Sequence, residues 1–387
     1  MINRQRNEYG AVSLFIVVFA ALLITVVTVS FIRIMVREQQ QATAVDLSQS
    51  AYDSAQAGVE DAKRAILRYK TICASGDSRS QDCIDAKTII GSSECNKSLE
   101  NIVTITDSEV KVQQTSGTQS IDLDQAYTCV KIVLDTDNYV GRLDQDSTKL
   151  IPLFGVSDFD SIRIDWFSAN DLQNGAIDVD VPSFSSGTPL LLQENWVSSL
   201  TPNRPPVMRA QLIQFGSSGF VLSDFDGGKN DPNTSNTSTL FLYPSSIVAS
   251  INSFSDDVRM TPPSSPVPVH CNSTLGAGGY SCSTTIVLPN PIDGGGRTAY
   301  LNLNSLYKGS SYQVTLLSGS SVVKFNAVQP IVDSTGRAND LFRRVESRIE
   351  TASGAYPEAG VSVTGSFCKN FSVTDNPTDY SANSCSP

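Results

Sequence analysis

The sequence predicts an α+β protein: a long N-terminal helix, transmembrane in its first half and amphipathic in its second, followed by a mainly antiparallel β head carrying disulfides. Three observations lead there. Residues 11–32, AVSLFIVVFAALLITVVTVSFI, contain no charge, Gly or Pro, enough to cross a hydrocarbon core of about 30 Å as a helix. Residues 33–70 contain no Pro and a single Gly, Gly58, among many Gln, Ala, Asp and Glu, so nothing interrupts that helix. Beyond Lys70, short β-branched and aromatic runs alternate with Ser, Thr, Asn, Gly and Asp, the signature of strands joined by turns.

Composition narrows the function. Lys and Arg number 28 against 39 Asp and Glu, a net charge of −11, which argues against a nucleic-acid partner. The single histidine, His270, lies beside a Pro-rich stretch, which disfavours Ser/His/Asp hydrolases, His-ligated metal sites and most acid–base chemistry. No phosphate-loop, dinucleotide or nucleophile-elbow motif occurs, and GAGG at 276–279 lies between two cysteines, where it reads as a turn. The expectation is a protein that is not an enzyme, with no cofactor, no catalytic residue and no metal ligand. The eight cysteines, Cys73, Cys83, Cys95, Cys129, Cys271, Cys282, Cys368 and Cys385, all follow the apolar segment, which points to disulfides in an oxidising compartment.

In chain order, residues 1–10 form a short charged leader. The apolar core at 11–32 is longer than the roughly 7–15 residues of a secretory signal and lacks a small-x-small cleavage site. Arg4, Arg6 and Glu8 before it, and Arg33, Arg37 and Glu38 after it, leave both flanks with equal charge, so the positive-inside rule does not orient it. The cysteines and the large soluble remainder place the C-terminal side outside. Along the extension, Tyr52, Ala55, Val59, Ala62, Ile66 and Tyr69 recur at steps of three and four, an apolar stripe meant to be covered. From Ala11 to Lys70 the helix is about 90 Å long at about 1.5 Å per residue.

That combination resembles the class III signal of type IV pilins and pseudopilins: a leader ending in Gly10, then AVSLFIVV, then a long amphipathic continuation. Glu8 and Tyr9 depart from the basic run of that family's leader. The resemblance covers about residues 1–70 and implies cleavage by a prepilin peptidase between Gly10 and Ala11. The stretch LSQSAYDSAQAGVEDAKRAI is similar to the helix of minor pilins with a PilX-type N-terminus, whose AAEAG-hydrophobe pattern aligns with Ala55, Ala57, Gly58 and Val59. Major pilins carry a glutamate at the fifth mature position; here that position is Phe15, which suits a minor subunit. The resemblance therefore implies a structural subunit anchored in the cytoplasmic membrane with its head outside, then packed through its N-terminal helix into a pilus or displayed at the cell surface. Its partners would be membrane lipid, other pilin subunits, the assembly machinery and the peptidase, and its role initiation, adhesion or bundling. Alternatives are a minor pseudopilin of type II secretion and an unprocessed, membrane-anchored adhesin or binding protein.

The head, residues 71–387, offers strand candidates at 126–134, 161–167, 207–215, 239–244, 284–289, 298–303, 311–317, 321–328 and 342–350. In SIRIDWF, Ile162, Ile164 and Trp166 share one face, so Trp166 reads as core. Two Pro-, Gly-, Ser- and Asn-rich stretches, 224–238 and 257–282, read as long loops, leaving room for a second lobe with 224–282 as its loop-rich part. Local pairing joins Cys271 to Cys282 and Cys368 to Cys385, the latter also resembling in position the C-terminal disulfide loop of many pilins. Cys73, Cys83, Cys95 and Cys129 pair among themselves in one of three ways. The acidic sets Asp224, Asp226, Asp231 and Asp135, Asp137, Asp144, Asp146 miss the calcium-loop pattern and read as solvated loop acids.

Overall fold

The computed structural model describes residues 9–74, 80–116, 119–173, 177–183, 193–196, 201–214, 236–247, 266–275, 279–292 and 299–351. The chain forms two compact units, the first from Met1–Ile132 with Ile331–Arg348 and the second from Val133–Pro330 with Ile349–Pro387. The second unit is thus inserted in sequence between two segments of the first. It is wider than the loop-rich 224–282, most of which lies outside the described residues.

The first unit begins with α1 (Tyr9–Ala74), a single helix of 66 residues. It runs to Ala74, past the expected end at Lys70, and Gly10 and Ala11 lie within its first turns. A second helix, α2 (Gln81–Ile90), follows, although the sequence showed no helix beyond Lys70. Ten residues are too few for periodicity to speak, and local devices hold it instead. The Ser80 side chain caps it by accepting from Cys83 N, and Gly91 closes its C-terminus. The Cys73–Cys83 disulfide ties it to the end of α1.

Four strands complete this unit: β1 (Val110–Ser116), β2 (Gln119–Val133), β13 (Ile331–Ala338) and β14 (Leu341–Arg348), ordered β1-β2-β13-β14. Neighbours are antiparallel. Val110 faces Tyr127, Arg337 faces Phe342, and across the central pair Thr128 Oγ1 donates to Thr335 O while Asn339 N donates to Asp124 O. Asn96 pins the approach to this sheet. Its buried carboxamide donates to Ser108 O and Thr128 O and accepts from Val130 N, so every polar atom of that side chain has a partner. The Cys95–Cys129 disulfide stands next to it. The four N-terminal cysteines therefore pair 73–83 and 95–129.

The second unit is a two-sheet β structure. One sheet is ordered β4-β10-β6-β7-β8, from β4 (Thr148–Pro152), β10 (Ala299–Leu306), β6 (Val207–Gln214), β7 (Asn236–Ser245) and β8 (Val267–His270). The other is ordered β12-β11-β5-β9, from β12 (Ser321–Val323), β11 (Ser310–Ser318), β5 (Phe159–Ser168) and β9 (Tyr280–Ile292), with β3 (Tyr139–Leu143) also pairing β11. Ile151, Ala210, Leu240 and Leu301 of the first sheet share one core with Ile162, Ile164, Val314 and Ile286 of the second, a β-sandwich arrangement. Trp166 is fully buried there, as its alternation predicts, and its Nε1 donates to Pro206 O.

The stretch 257–282, expected to be loop, contains β8 and the start of β9. Prolines hid β8, but it is an edge strand, the position where Pro268 costs least. The Cys271–Cys282 bridge forms as local spacing suggests; Cys368 and Cys385 lie outside the described residues. So do Asp224, Asp226 and Asp231.

Candidate functional site

The feature around which a functional reading has to be built is α1, because its two halves meet different surroundings. Residues 14–36 are exposed throughout, and large apolar side chains such as Phe15, Phe19, Leu23 and Phe31 stand bare. By length and composition this part is able to cross a membrane. Thr25, Thr28 and Ser30 on this half donate their hydroxyls to Ala21 O, Ile24 O and Val26 O, so these three exposed hydroxyls are satisfied within the helix itself.

The second half of α1 is packed against its own unit. Ala51, Ala55, Val59, Ala62 and Ile66 are buried, and the stripe starts at Ala51 where the spacing pointed to Tyr52, which is 44% exposed. Tyr52 is one step round the helix from the true seam, and a large amphipathic ring at its border needs no cover. The contact is unusually close. A Cβ at Gly58 would lie 2.4 Å from Ser334 Oγ and 2.9 Å from Val130 Cγ2, and one at Gly336 would lie 2.2 Å from Ala51 O and 2.3 Å from Ala55 N. Helix and sheet each contribute a glycine at the point of nearest approach, the use to which a side-chain-free residue is suited.

Polar ties fix the register of this packing. Tyr127 Oη donates to Asp61 Oδ2 at 2.8 Å, and Asp61 Oδ1 receives Arg64 Nη1 at 3.0 Å. Burial, followed by the Asp61 carboxylate, pushes the Tyr127 hydroxyl well above the ordinary tyrosine range. Arg343 Nε reaches Ser48 Oγ at 2.7 Å, and on β13 Arg337 binds both Glu109 and Asp124.

The sequence-marked residues thus fall in three places. Gly10 and Ala11 are in the first turns of α1, Phe15 is exposed on its apolar half, and Ala55, Gly58 and Val59 are buried against the sheet with Ala57 half-buried beside them. Sequence reasoning missed Ser334 and Gly336, the other side of this seam. The one signal for them was a glycine in an otherwise alternating run, IVDSTGRA. Among the described residues no group of three or more His, Cys, Asp or Glu is arranged to hold a metal ion. No family model, curated protein or solved structure matches the chain. The physical arrangement itself therefore has to carry the functional argument: an uncovered apolar helix rigidly continuous with a helix locked to a disulfide-bearing sheet.

Proposed function

We propose that the chain is a minor type IV pilin-like structural subunit, held in the cytoplasmic membrane by residues 11–32, cleaved after Gly10 and assembled into a pilus through its N-terminal helix. The observation that carries this reading is the division of α1: residues 14–36 are bare and apolar, while residues 51–69 of the same unbroken helix are sealed onto a four-stranded antiparallel sheet. A helix that merely anchors a head has no need to continue rigidly into it. A helix that moves from lipid into a bundle of like helices exchanges one apolar solvent for another, and its rigid junction fixes where the head stands on the fibre. The resemblance of residues 1–70 to pilin N-termini supports the same reading, and Phe15 favours a minor subunit, since no carboxylate there needs a partner in hydrocarbon.

The experiment is an N-terminal peptide mass on protein recovered from membranes and from sheared extracellular filaments. A start at Ala11 in the filament fraction is expected. An intact Met1 confined to membranes overturns the proposal in favour of an unprocessed surface protein. A start at Ala11 in membranes, with no filament fraction and a secretion defect when the chain is deleted, transfers it to a type II secretion pseudopilin.

A further inference from the structure

We infer that a cavity between α1, α2 and the 3-10 turn Lys97–Leu99 binds a small apolar amine that carries a hydroxyl. The inference goes beyond the filament reading and stands without it, because every residue of the site lies between Ala65 and Ile102 of the first unit.

The two helices present matching faces. Ala65, Arg68, Tyr69 and Ile72 on α1, and Asp82, Asp85, Ala86 and Ile89 on α2, are each spaced by three, one and three residues, which places each set on one side of its helix. Both sets line the cavity, together with Ile90 and Ile102. It measures about 340 Å³, within the roughly 300–1,000 Å³ usual for small-molecule sites. Alanine at 65 and at 86 leaves a gap that larger side chains would fill, and the Cys73–Cys83 disulfide fixes the end of α1 to the start of α2. Ile72, Ile89 and Ile102 stay only half-buried on the wall, apolar surface that an apolar ligand would remove from water.

Three polar residues of the lining set the ligand's chemistry. Ser98 is 6% exposed, and its Oγ has no hydrogen-bond partner among the described residues, a condition that buried hydroxyls ordinarily escape. A hydroxyl on the ligand is able both to donate to it and to accept from it. Asp82 and Asp85 are exposed carboxylates on the same wall. Asp82 has no partner among the described residues, and Asp85 is engaged through Oδ1, which accepts from Gln81 Nε2 at 2.7 Å. One turn apart on α2, the two carboxylates leave acceptor oxygens for an ammonium group. The cation of the lining, Arg68, already donates Nη1 to Asn101 O at 2.7 Å. Two carboxylates against one guanidinium leave the lining negative, and the net charge of −11 on the chain adds long-range attraction for cations. Anionic ligands meet repulsion from the same two groups. An apolar body, an ammonium group and a hydroxyl in one small molecule describe a hydroxylated aryl- or alkylamine.

The test is calorimetric titration of the full chain in detergent micelles with tyramine, phenethylamine, 4-ethylphenol and 4-hydroxyphenylacetate, each corrected for the same micelles without protein. Saturable binding of tyramine is expected. 4-Ethylphenol, which lacks the ammonium group, and 4-hydroxyphenylacetate, which carries a carboxylate in its place, should each bind at least ten-fold more weakly. Phenethylamine, which lacks the hydroxyl, should bind at least three-fold more weakly, and Ser98→Ala should erase that difference. Asp82→Asn combined with Asp85→Asn, both exposed and unchanged in shape, should weaken tyramine at least ten-fold. Ala86→Trp, which fills the cavity, should abolish binding while the Cys73–Cys83 disulfide still forms. Asp340→Asn, which removes an exposed carboxylate elsewhere in the same unit, should bind as the parent does. No saturable binding of tyramine, equal binding of tyramine and 4-hydroxyphenylacetate, a phenethylamine difference that survives Ser98→Ala, or undiminished binding by the double asparagine variant overturns the inference. None of these outcomes depends on the N-terminal processing experiment.

Discussion

At Gly336 a strand and a helix touch backbone to backbone, and the two glycines of that seam differ in how far their neighbours can retreat. At Gly58 the nearest obstacles are side chains, Ser334 Oγ and Val130 Cγ2; at Gly336 they are main-chain atoms of Ala51 and Ala55. Gly58→Ala gains about 1 kcal/mol of helix propensity against an overpacking cost of about 1–3 kcal/mol, so the net loss should be about 1 kcal/mol, recovered when Ser334→Gly is added. Gly336→Ala has no such relief and should cost at least about 2 kcal/mol by the same overpacking cost, lowering the thermal midpoint more than Gly58→Ala does. Equal midpoints would contradict the seam as described. Tyr127 gives a pH signature. Its folded-state pKa is raised above the unfolded value of about 10, so the stability it contributes is complete below about pH 10 and is lost as pH rises through the folded value. Tyr127→Phe should cost about 1 kcal/mol at neutral pH and flatten the decline of stability above about pH 10, measured by denaturant titration at a series of pH values.

Among elements, the disulfides and strand edges define the first unit. Cys95–Cys129 closes 34 residues and Cys73–Cys83 closes 10, and chain-entropy arguments assign them about 3.8 and about 2.7 kcal/mol. Replacing both cysteines of the longer bridge by Ala should therefore destabilise the unit by about 1 kcal/mol more than the same change at the shorter one, read from denaturant midpoints. Loss of the shorter bridge should instead appear as faster amide exchange confined to α2, which has few other ties. These elements also show what a sequence makes legible. The long helix, and strands such as β5, β6, β10 and β11, announce themselves through composition and alternation, because each buries a periodic set of large apolar residues. α2 does not, since a cap and a bridge hold it. Nor does β13: its inward positions are Val332, Ser334, Gly336 and Ala338, chosen to be small because a helix lies against them, and smallness mimics a turn.

For the whole molecule, the decisive fact is where the second unit enters the chain. In the β2–β13 ladder Thr128 stands level with Thr335 and Asp124 with Asn339, so Ile132 and Ile331 are opposite each other on neighbouring strands. The inserted residues thus leave and return where a tight hairpin turn would otherwise sit. A chain in which 134–329 are replaced by Asn-Gly, the two residues that favour such a turn, should keep α1, the four-stranded sheet and both N-terminal disulfides, verified by circular dichroism and disulfide mapping. Scrambled pairing of Cys73, Cys83, Cys95 and Cys129 in that variant would show that the insertion is needed for the first unit to form. No composition step marks either junction, because both units draw on the same Ser-, Thr- and Val-rich alphabet; contacts divide them where the alphabet does not.

The chain crosses between units once more after Arg348, where Ile349 N donates to Pro330 O and Thr351 binds Ala327 O and Val328 O. Three covalent crossings therefore join the two units. All three crossings enter the first unit on β2, β13 and β14, which are neighbours in one sheet, so any displacement passed along the chain arrives on strands that share their hydrogen bonds. Cys129, on the first of those strands, is also bolted to Cys95, a tie that outlasts any hydrogen bond of the ladder.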